Sequence, residues 1–511
     1  MNIPRQLMLA LGLICTLSVV GADSFYKEPY GIFSTRPDAK KSLQTIKRFG
    51  PVGLGIDLIQ PAFTMRIANV EEGSPAAATG KLAKGQIIDS INGRKLADID
   101  PRIQFGQLLA QAEATDGLLK FTIRGVAAPV TVQVPVLGAY SKTWPLNCPK
   151  SDKIVRQVAD YLSQPDAQKG LAGIGVLFLL STGEAKDLAV AREWARNVKP
   201  HRYPWYIGYG GIPLAEAYLR TGDPVILANI QAGVDNAVAT QYLGGWLGRG
   251  GVTPSYGNGH LNAAGTHVLT FLLLAKECGA KVPDQTLDDA LVHFYRYAGR
   301  GGNPYGDNRP EYGFVDNGKN GLLAFAMAAA AALTPNGEQS VYARARDVCA
   351  MQSFYTTSFM LHGHTGGGIG EIWRSASMGL LHEKKPRQYR EFMDQRQWHY
   401  DLSRRFDGSF GILGGAGYDK EQWGVAYPLA YTIPRKTLRI TGAAPTQFSK
   451  LFKLPELPWG TEADNAFFSL EAAADADGHK QDLSKETLAA DSSKAILIRL
   501  HNSGEVSDDL L

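Results

Sequence analysis

Between residues 152 and 441, twelve helical segments of two alternating kinds restrict the possible folds more than any other feature. One kind has a polar face. The other is apolar nearly all round, so it must be buried while its amphipathic partner covers it. A repeat of roughly 35–60 residues indicates a repeat architecture, and we predict that six helix pairs close on themselves as an all-α (α/α)6 toroid. The amphipathic segments are predicted at 152–164, 187–198, 224–242, 285–299, 340–356 and 387–405, and the apolar ones at 171–181, 206–221, 260–278, 320–333, 368–382 and 423–441.

Glycines mark the ends of the apolar segments. Several segments begin at glycine-rich runs such as 208–211 and 257–259, and four are followed by a single glycine: Gly183, Gly222, Gly279 and Gly442. Glycine is the residue that most often ends a helix, because it adopts the left-handed conformation without a steric penalty. The glycines therefore predict where these helices begin and end.

Two of the segments resemble the repeats of terpenoid cyclases and protein prenyltransferases, in which a glycine- and aromatic-rich turn leads into an inner helix. They are GGWLGRGGVTPSYGNGHLNAAGTHVLTFLLLA (244–275) and RFDGSFGILGGAGYDKEQWGVAYPLAY (405–431). The resemblance extends over about 150–442 and implies a toroid. It does not extend to activity: there is no acidic cluster to generate a carbocation, and Cys278 lies at the wrong end of its helix for a prenyltransferase zinc site.

The region before the helices resembles a PDZ domain, at residues 43–137. The resemblance rests on Gly53-Leu54-Gly55-Ile56 and on VEEGSPAAATGKLAKGQIIDSING at 70–93. A PDZ domain binds the carboxylate of a protein C-terminus on backbone N–H groups while the peptide adds a strand to a sheet edge. The resemblance implies that Gly53, Leu54, Gly55 and Ile56 bind this carboxylate and that 101–114 is the helix lining the groove. Gln86 departs from the pattern, since the family usually has Asp there.

The two ends of the chain differ from its middle. Arg5, the apolar run 7–20 and the small residues Gly21 and Ala22 predict a signal peptide at 1–22, cleaved after Ala22, and therefore a secreted or periplasmic protein. No later segment is predicted to cross a membrane. Residues 456–511 contain 12 acidic and 4 basic residues, so 455–511 is predicted to be an acidic, partly flexible extension, and the rest of the chain carries the net positive charge.

The predicted order of a PDZ domain followed by a toroid is similar to that of an uncharacterised group of secreted bacterial proteins.

Three cysteines remain after signal cleavage: Cys148, Cys278 and Cys349. An odd number excludes a fully disulfide-stapled scaffold, and we expect buried thiols. No spacing resembles a zinc motif, and His362 and His364 alone are weak evidence for a metal. We predict neither a metal nor a cofactor, and no nucleic-acid partner.

Candidate functional residues collect where the apolar helices begin. Aromatic and hydrogen-bonding side chains together suit sugar rings, which have apolar faces and hydroxyl edges. We therefore predict a carbohydrate-active enzyme, with a polysaccharide lyase slightly favoured over a glycoside hydrolase. The predicted catalytic residues are Tyr256, Asn258, His260, Asp316, Glu371 and Arg374, and the predicted substrate-binding residues are Trp205, Tyr209, Trp246, His364 and Trp423.

In the lyase hypothesis, Arg374 neutralises a uronate carboxylate, and His260 or Tyr256 removes the C5 proton. In the hydrolase hypothesis, two carboxylates face each other across the substrate, and the candidates are Asp316, Glu371, Asp407, Asp419 and Glu421. The alternative to an enzyme is a non-catalytic scaffold that binds a peptide or a glycan. The sequence leaves all three hypotheses open.

Overall fold

The computed structural model describes residues 43–96, 101–247, 260–295, 297–298, 303, 319–355, 369–413 and 418–458. The predicted signal peptide and residues 459–511 of the predicted acidic extension lie outside these ranges. None of the helices described is both long and apolar enough to cross a membrane.

The N-terminal module (residues 43–137) contains a small antiparallel sheet with a short and a long helix in its connections. The sheet order is β1-β2-β3-β4-β6-β7, with β5 paired to β4 alone. The strands are β1 (Leu43–Phe49), β2 (Leu54–Ile59), β3 (Thr64–Val70), β4 (Ile87–Ile91), β5 (Arg94–Lys95), β6 (Leu118–Ile123) and β7 (Val130–Gln133), and the helices are α1 (Pro75–Ala78) and α2 (Pro101–Ala114).

Local sequence explains the strand pairing. Leu119, Phe121 and Ile123 are buried on β6 while Lys120 is exposed, because successive side chains of a strand point to opposite faces. Asn92 and Gly93 both have positive φ, at 50° and 73°, which is the requirement of the tight turn that joins two antiparallel strands. Asn92 and Gly93 therefore form the turn between β4 and β5.

The helical region follows the module. Its longer helices are α3 (Pro149–Leu162), α5 (Gly173–Thr182), α6 (Ala185–Asn197), α7 (Pro204–Thr221), α8 (Pro224–Thr240), α9 (Asn262–Glu277), α10 (Asp284–Tyr295), α11 (Lys319–Ala332), α12 (Val341–Tyr355), α13 (Ile369–Met378) and α14 (Pro386–Ser403), with the shorter α4 (Pro165–Lys169) and α15 (Ala426–Thr432). The predicted glycine ends are confirmed, because Gly183, Gly222, Gly279 and Gly442 all have positive φ.

The apolar helices pack on one another in chain order. Helix α5 packs on α7, α7 on α9, α9 on α11, α11 on α13, α13 on α15, and α15 on α5. The amphipathic helices cover them: α6 lies against α5, α8 against α7, and α12 against α11. Cys148, Cys278 and Cys349 are buried free thiols, as expected.

Most predicted helix ends differ from the structure by a few residues, and for two helices the structure shows the reason. The segment predicted at 224–242 ends at Thr240, because Gln241–Tyr242 pairs with Gly245–Trp246 as strands β8 and β9 of a hairpin. The segment predicted at 423–441 is divided into α15 and three short 3-10 turns. Pro434 contributes to this division, since proline has no N–H for a helical hydrogen bond and clashes with the preceding turn.

The module and the helical region share a buried interface. Helix α2 packs along α14, and Gly106 makes the approach close. A Cβ atom at Gly106 would lie 2.7 Å from Cβ of Trp398 and 2.9 Å from its backbone. The missing side chain therefore determines how near the two helices come.

Candidate functional site

The first turns of α7 carry a stack of aromatic rings. Trp205 and Tyr209 are one helical turn apart, so they lie on the same face, and their ring centroids are 5.6 Å apart. Tyr209 stacks in turn on His267 of α9, at 3.8 Å. Trp205 also packs on the buried residues at the start of α9. Trp205 and Tyr209 are half-buried, so this stack reaches from the protein interior to solvent.

His267 holds the inner end of the stack. Its Nδ1–H donates to the Ala263 carbonyl at 2.7 Å, and its Nε2 accepts from Nε1–H of Trp373 on α13 at 2.6 Å. Burial lowers the pKa of His267 to about 3, so the ring is neutral at physiological pH. His267 is therefore a positioning residue for Tyr209. We call Trp205, Tyr209, His267 and Trp373 the aromatic column.

Further aromatic side chains lie beside the column at the start of α7. Tyr206 is 40% exposed, and its ring lies 5.1 Å from His201 and 5.5 Å from Tyr203. Exposed rings held by neighbouring rings form a surface on which the apolar face of a ligand can stack. The start of α7 therefore presents such an aromatic surface.

The predicted residue His260 belongs to a polar cluster separate from the aromatic column. Its Nε2–H donates to the Tyr242 carbonyl at 2.5 Å, and its ring lies 4.5 Å from that of His293. His293 Nε2 lies 3.4 Å from Oδ1 of Asn262. All three side chains of His260, Asn262 and His293 are buried, so the cluster lies beneath the β8–β9 hairpin.

The remaining predicted residues occupy different surroundings. Trp246 is fully buried, and its Nε1–H donates to the Ala237 carbonyl at 2.8 Å. Trp423 is buried against Tyr418, at 4.6 Å between centroids. Arg374 is also buried and follows Trp373 of the aromatic column along α13. Glu371 lies in α13, but its side chain is outside what the structure describes, as are the predicted residues Tyr256, Asn258, Asp316 and His364.

The glycine loop (residues 53–56), with Gly53, Leu54, Gly55 and Ile56, is buried along its whole length. Gly53 has φ of +80°, and a Cβ atom there would lie 2.1 Å from Cβ of Ser74. At Gly55, a Cβ atom would lie 1.9 Å from Oδ1 of Asn69. Both positions therefore require glycine for local packing.

A cleft of about 550 Å³ lies between the N-terminal module and the helical region. Pro51 and Ser74 line it from the module, and Gln157, Tyr161 and Asp407 line it from the helical region. Volumes of this size are typical of small-molecule sites. Sequence reasoning missed this cleft because its two walls are far apart along the chain. No group of three metal-ligating side chains occurs among the residues that the structure covers.

Sequence reasoning also missed His267 and Trp373. A signal was available, because His267 lies five residues after Asn262 on a helix predicted to be apolar all round, where a polar ring needs a partner. The partner comes from a helix more than 100 residues away, and nothing in the local pattern identifies it.

One comparison with known proteins gives a match. A family model described as "Domain of unknown function (DUF6288)" matches residues 151–442, which is more than half of the chain. No curated protein and no solved structure matches.

Proposed function

The chain belongs to the DUF6288 family, and because the description of that family names no activity, we propose a function from the geometry: a carbohydrate-active protein that binds a glycan at the start of α7. The observation that carries this proposal is the aromatic column. Its outer ring, Trp205, is half-exposed and is held by three rings behind it. A ring that is already fixed in place loses little conformational entropy when a sugar stacks on it.

The proposed architecture is an (α/α)6 toroid behind a PDZ-like module. The circuit of packing from α5 through α15 and back to α5 supports the toroid. In such a toroid the first turns of the inner helices share one end, so the start of α7 would adjoin the starts of α9, α11 and α13. The strand order, α2 and the glycine loop support the PDZ-like module.

For the reaction, we propose that of a polysaccharide lyase ahead of that of a glycoside hydrolase. The predicted residues keep their proposed roles: Arg374 neutralises the uronate, and His260 or Tyr256 takes the proton. Asn258, Glu371 and Asp316 remain proposed catalytic residues. Nε2–H of His260 donates to a carbonyl, so Nδ1 is the ring nitrogen that would accept a proton. Trp246, His364 and Trp423 remain proposed substrate contacts. A secreted or periplasmic location, also proposed, would bring the protein to such polymers.

The test is binding and turnover with a panel of uronate and neutral polysaccharides. We expect Trp205→Ala to weaken binding of the preferred glycan about tenfold or more, because it removes the stacking surface. Leu451→Ala is the matched control, since Leu451 is an exposed apolar residue outside the column. The glycan affinity of this variant should equal that of the wild type.

The outcomes separate the alternatives. Absorbance from unsaturated product identifies a lyase, and new reducing ends without that absorbance identify a hydrolase. Binding that depends on Trp205 but yields no product favours the non-catalytic scaffold. Absence of binding to every polymer contradicts the carbohydrate proposal.

A further inference from the structure

The edge of β2 where a PDZ ligand would add is paired in this chain. Strand β2 lies between β3 and β1, and β1 follows it from Leu43 opposite Ile59 to Phe49 opposite Leu54. Strand β1 therefore runs along the whole of this edge of β2, with one irregularity between Ile46 and Phe49 where the register shifts. A peptide can add to a sheet only where backbone N–H and C=O groups are unpaired.

Strand β1 has the direction expected of a ligand. A C-terminal carboxylate held by the glycine loop lies at the start of β2, so the peptide before it must run antiparallel to β2. Strand β1 is antiparallel to β2, and its last residue, Phe49, lies opposite Leu54, the first residue of β2. The chain then turns through Gly50 into the glycine loop itself. The end of β1 thus occupies the position of the last residues of a bound peptide.

The end of β1 also contacts the groove helix. The ring of Phe49 lies 5.4 Å from the ring of Phe105 on α2, and a Cβ atom at Gly50 would lie 3.9 Å from Leu109 of the same helix. A PDZ ligand lies between the edge strand and the helix, so Phe49 fills the space that a ligand side chain would take.

The helical region closes the glycine loop from the other side. Gly50 N–H donates to the Leu402 carbonyl at 2.8 Å, and the ring of Phe406 lies 3.3 Å from the Cβ position of Gly53. Arg48 of β1 contacts Glu71 at 2.6 Å and Asp407 at 2.8 Å. The residues 402–407 therefore cover the loop, and Arg48 links them to the module.

We propose that the ligand of the PDZ-like module is this chain itself: β1 fills the strand site and residues 402–407 cover the carboxylate loop. The module is then an internal latch that fixes its groove to the helical region, and free protein C-termini are excluded while it is closed. This inference rests on the proposed PDZ-like identity. The sequence alone predicts that this groove binds the C-terminus of another protein, whereas here its ligand is β1 of the same chain.

The charges at the latch support a closed state. Burial would lower the pKa of Arg48, yet its bonds to Asp407 and Glu71 raise it. Burial likewise acts to raise the pKa of Asp407, but the hydrogen bonds from Arg48 and Ser409 lower it. Both partners are therefore charged at neutral pH, and reversing the sign of Arg48 places three carboxylates together.

The test uses the full chain and a library of peptides with free C-terminal carboxylates, with the same peptides amidated as the negative probe. Two variants open the latch. Thr45→Pro with Arg48→Glu disrupts the β1–β2 ladder and the contact with Asp407. In the second variant, glycine and serine replace all seven residues of β1, which removes the strand itself. Arg124→Glu is the control, because it reverses the charge of an exposed pair with Asp89 in the same module.

We expect the wild type and Arg124→Glu to bind the peptides only weakly and to protect the β2 amides that face β1 from hydrogen exchange. Either latch variant should expose those amides and bind free-carboxylate peptides at least about tenfold more tightly than the wild type, since the competent state is no longer a minor one. Wild-type binding equal to that of the variants overturns the latch but leaves the PDZ-like identity. Variants with exposed β2 amides that bind no peptide overturn the PDZ-like identity as well.

Discussion

Glu113, at the end of α2, accepts a hydrogen bond of 2.6 Å from Arg404, 291 residues later in the chain. Both side chains are buried, and Lys150 lies 2.8 Å from the same carboxylate oxygen. Arg404 also donates to Asp401, which accepts a bond from Tyr140. Two carboxylates and two cations thus form a neutral group between the module and the helical region.

Glu113→Gln tests this group. Burial acts to raise the pKa of Glu113, but Arg404 and Lys150 lower it further than burial raises it, so the carboxylate is ionised. The substitution leaves the two cations with one carboxylate inside the protein, and removing one partner of a buried pair costs about 3–5 kcal/mol. We expect a matching loss in the free energy of unfolding by urea. Asp89→Asn, which removes the exposed contact with Arg124, should leave the midpoint unchanged.

Gly106→Ala tests the approach of α2 to α14. The added methyl meets both the side chain and the backbone of Trp398, and overpacking of this kind costs about 1–3 kcal/mol. The same substitution at Gly210, which has open space at its Cβ position within α7, should stabilise by up to about 1 kcal/mol, because alanine favours helix. Thermal unfolding of the two variants measures the contrast, and equal midpoints would contradict the close packing at Gly106.

Glu216→Gln tests a pH dependence. Glu216 of α7 accepts the backbone N–H groups of Arg439 and Ile440 at 2.8 and 3.0 Å, and burial raises its pKa from 4.5 to about 7. Between these two values the folded chain holds one proton more than the unfolded chain. The stabilisation from Glu216 is therefore complete below about pH 4.5 and is lost as the pH rises through about 7, by at most about 1.4 kcal/mol per unit.

The measurement is urea unfolding of the wild type and Glu216→Gln across this window. The stability of the wild type should fall relative to that of Glu216→Gln as the pH rises through this window, while Glu72→Gln, at an exposed position, should follow the wild type at every pH. A wild-type stability that does not fall relative to Glu216→Gln between about pH 4.5 and 7 would show that Glu216 is already ionised in the folded protein across this window.

Trp373→Phe tests the aromatic column. The substitution keeps an aromatic ring but removes the N–H that His267 Nε2 accepts, and a buried acceptor without its donor costs about 1–3 kcal/mol. We expect a loss of stability in this range and weaker glycan binding than in the wild type. Trp194→Phe is the control, because the Trp194 N–H serves only the Leu171 carbonyl on another surface. Equal glycan affinity in both variants would show that the aromatic column does not contribute to glycan binding.

Local chemistry made much of the fold predictable. The apolar helices, their glycine ends and the Asn92-Gly93 turn depend on residue spacing and on the backbone freedom of glycine, and both can be read directly from the sequence. Two boundary errors occurred where a local hairpin or a proline interrupted the helix: the β8–β9 hairpin after Thr240, and the turns around Pro434.

The alternating buried and covered helices, the small sheet and the glycines that both require follow from periodicity over neighbouring residues, so they can be inferred without a structure. The tertiary structure sets which of these surfaces is open. It covered the glycine loop with β1 and residues 402–407, joined Glu113 to Arg404, and placed His267 between Tyr209 and Trp373. These contacts join residues tens to hundreds of positions apart, and their energies depend on burial, which exists only once the chain has packed.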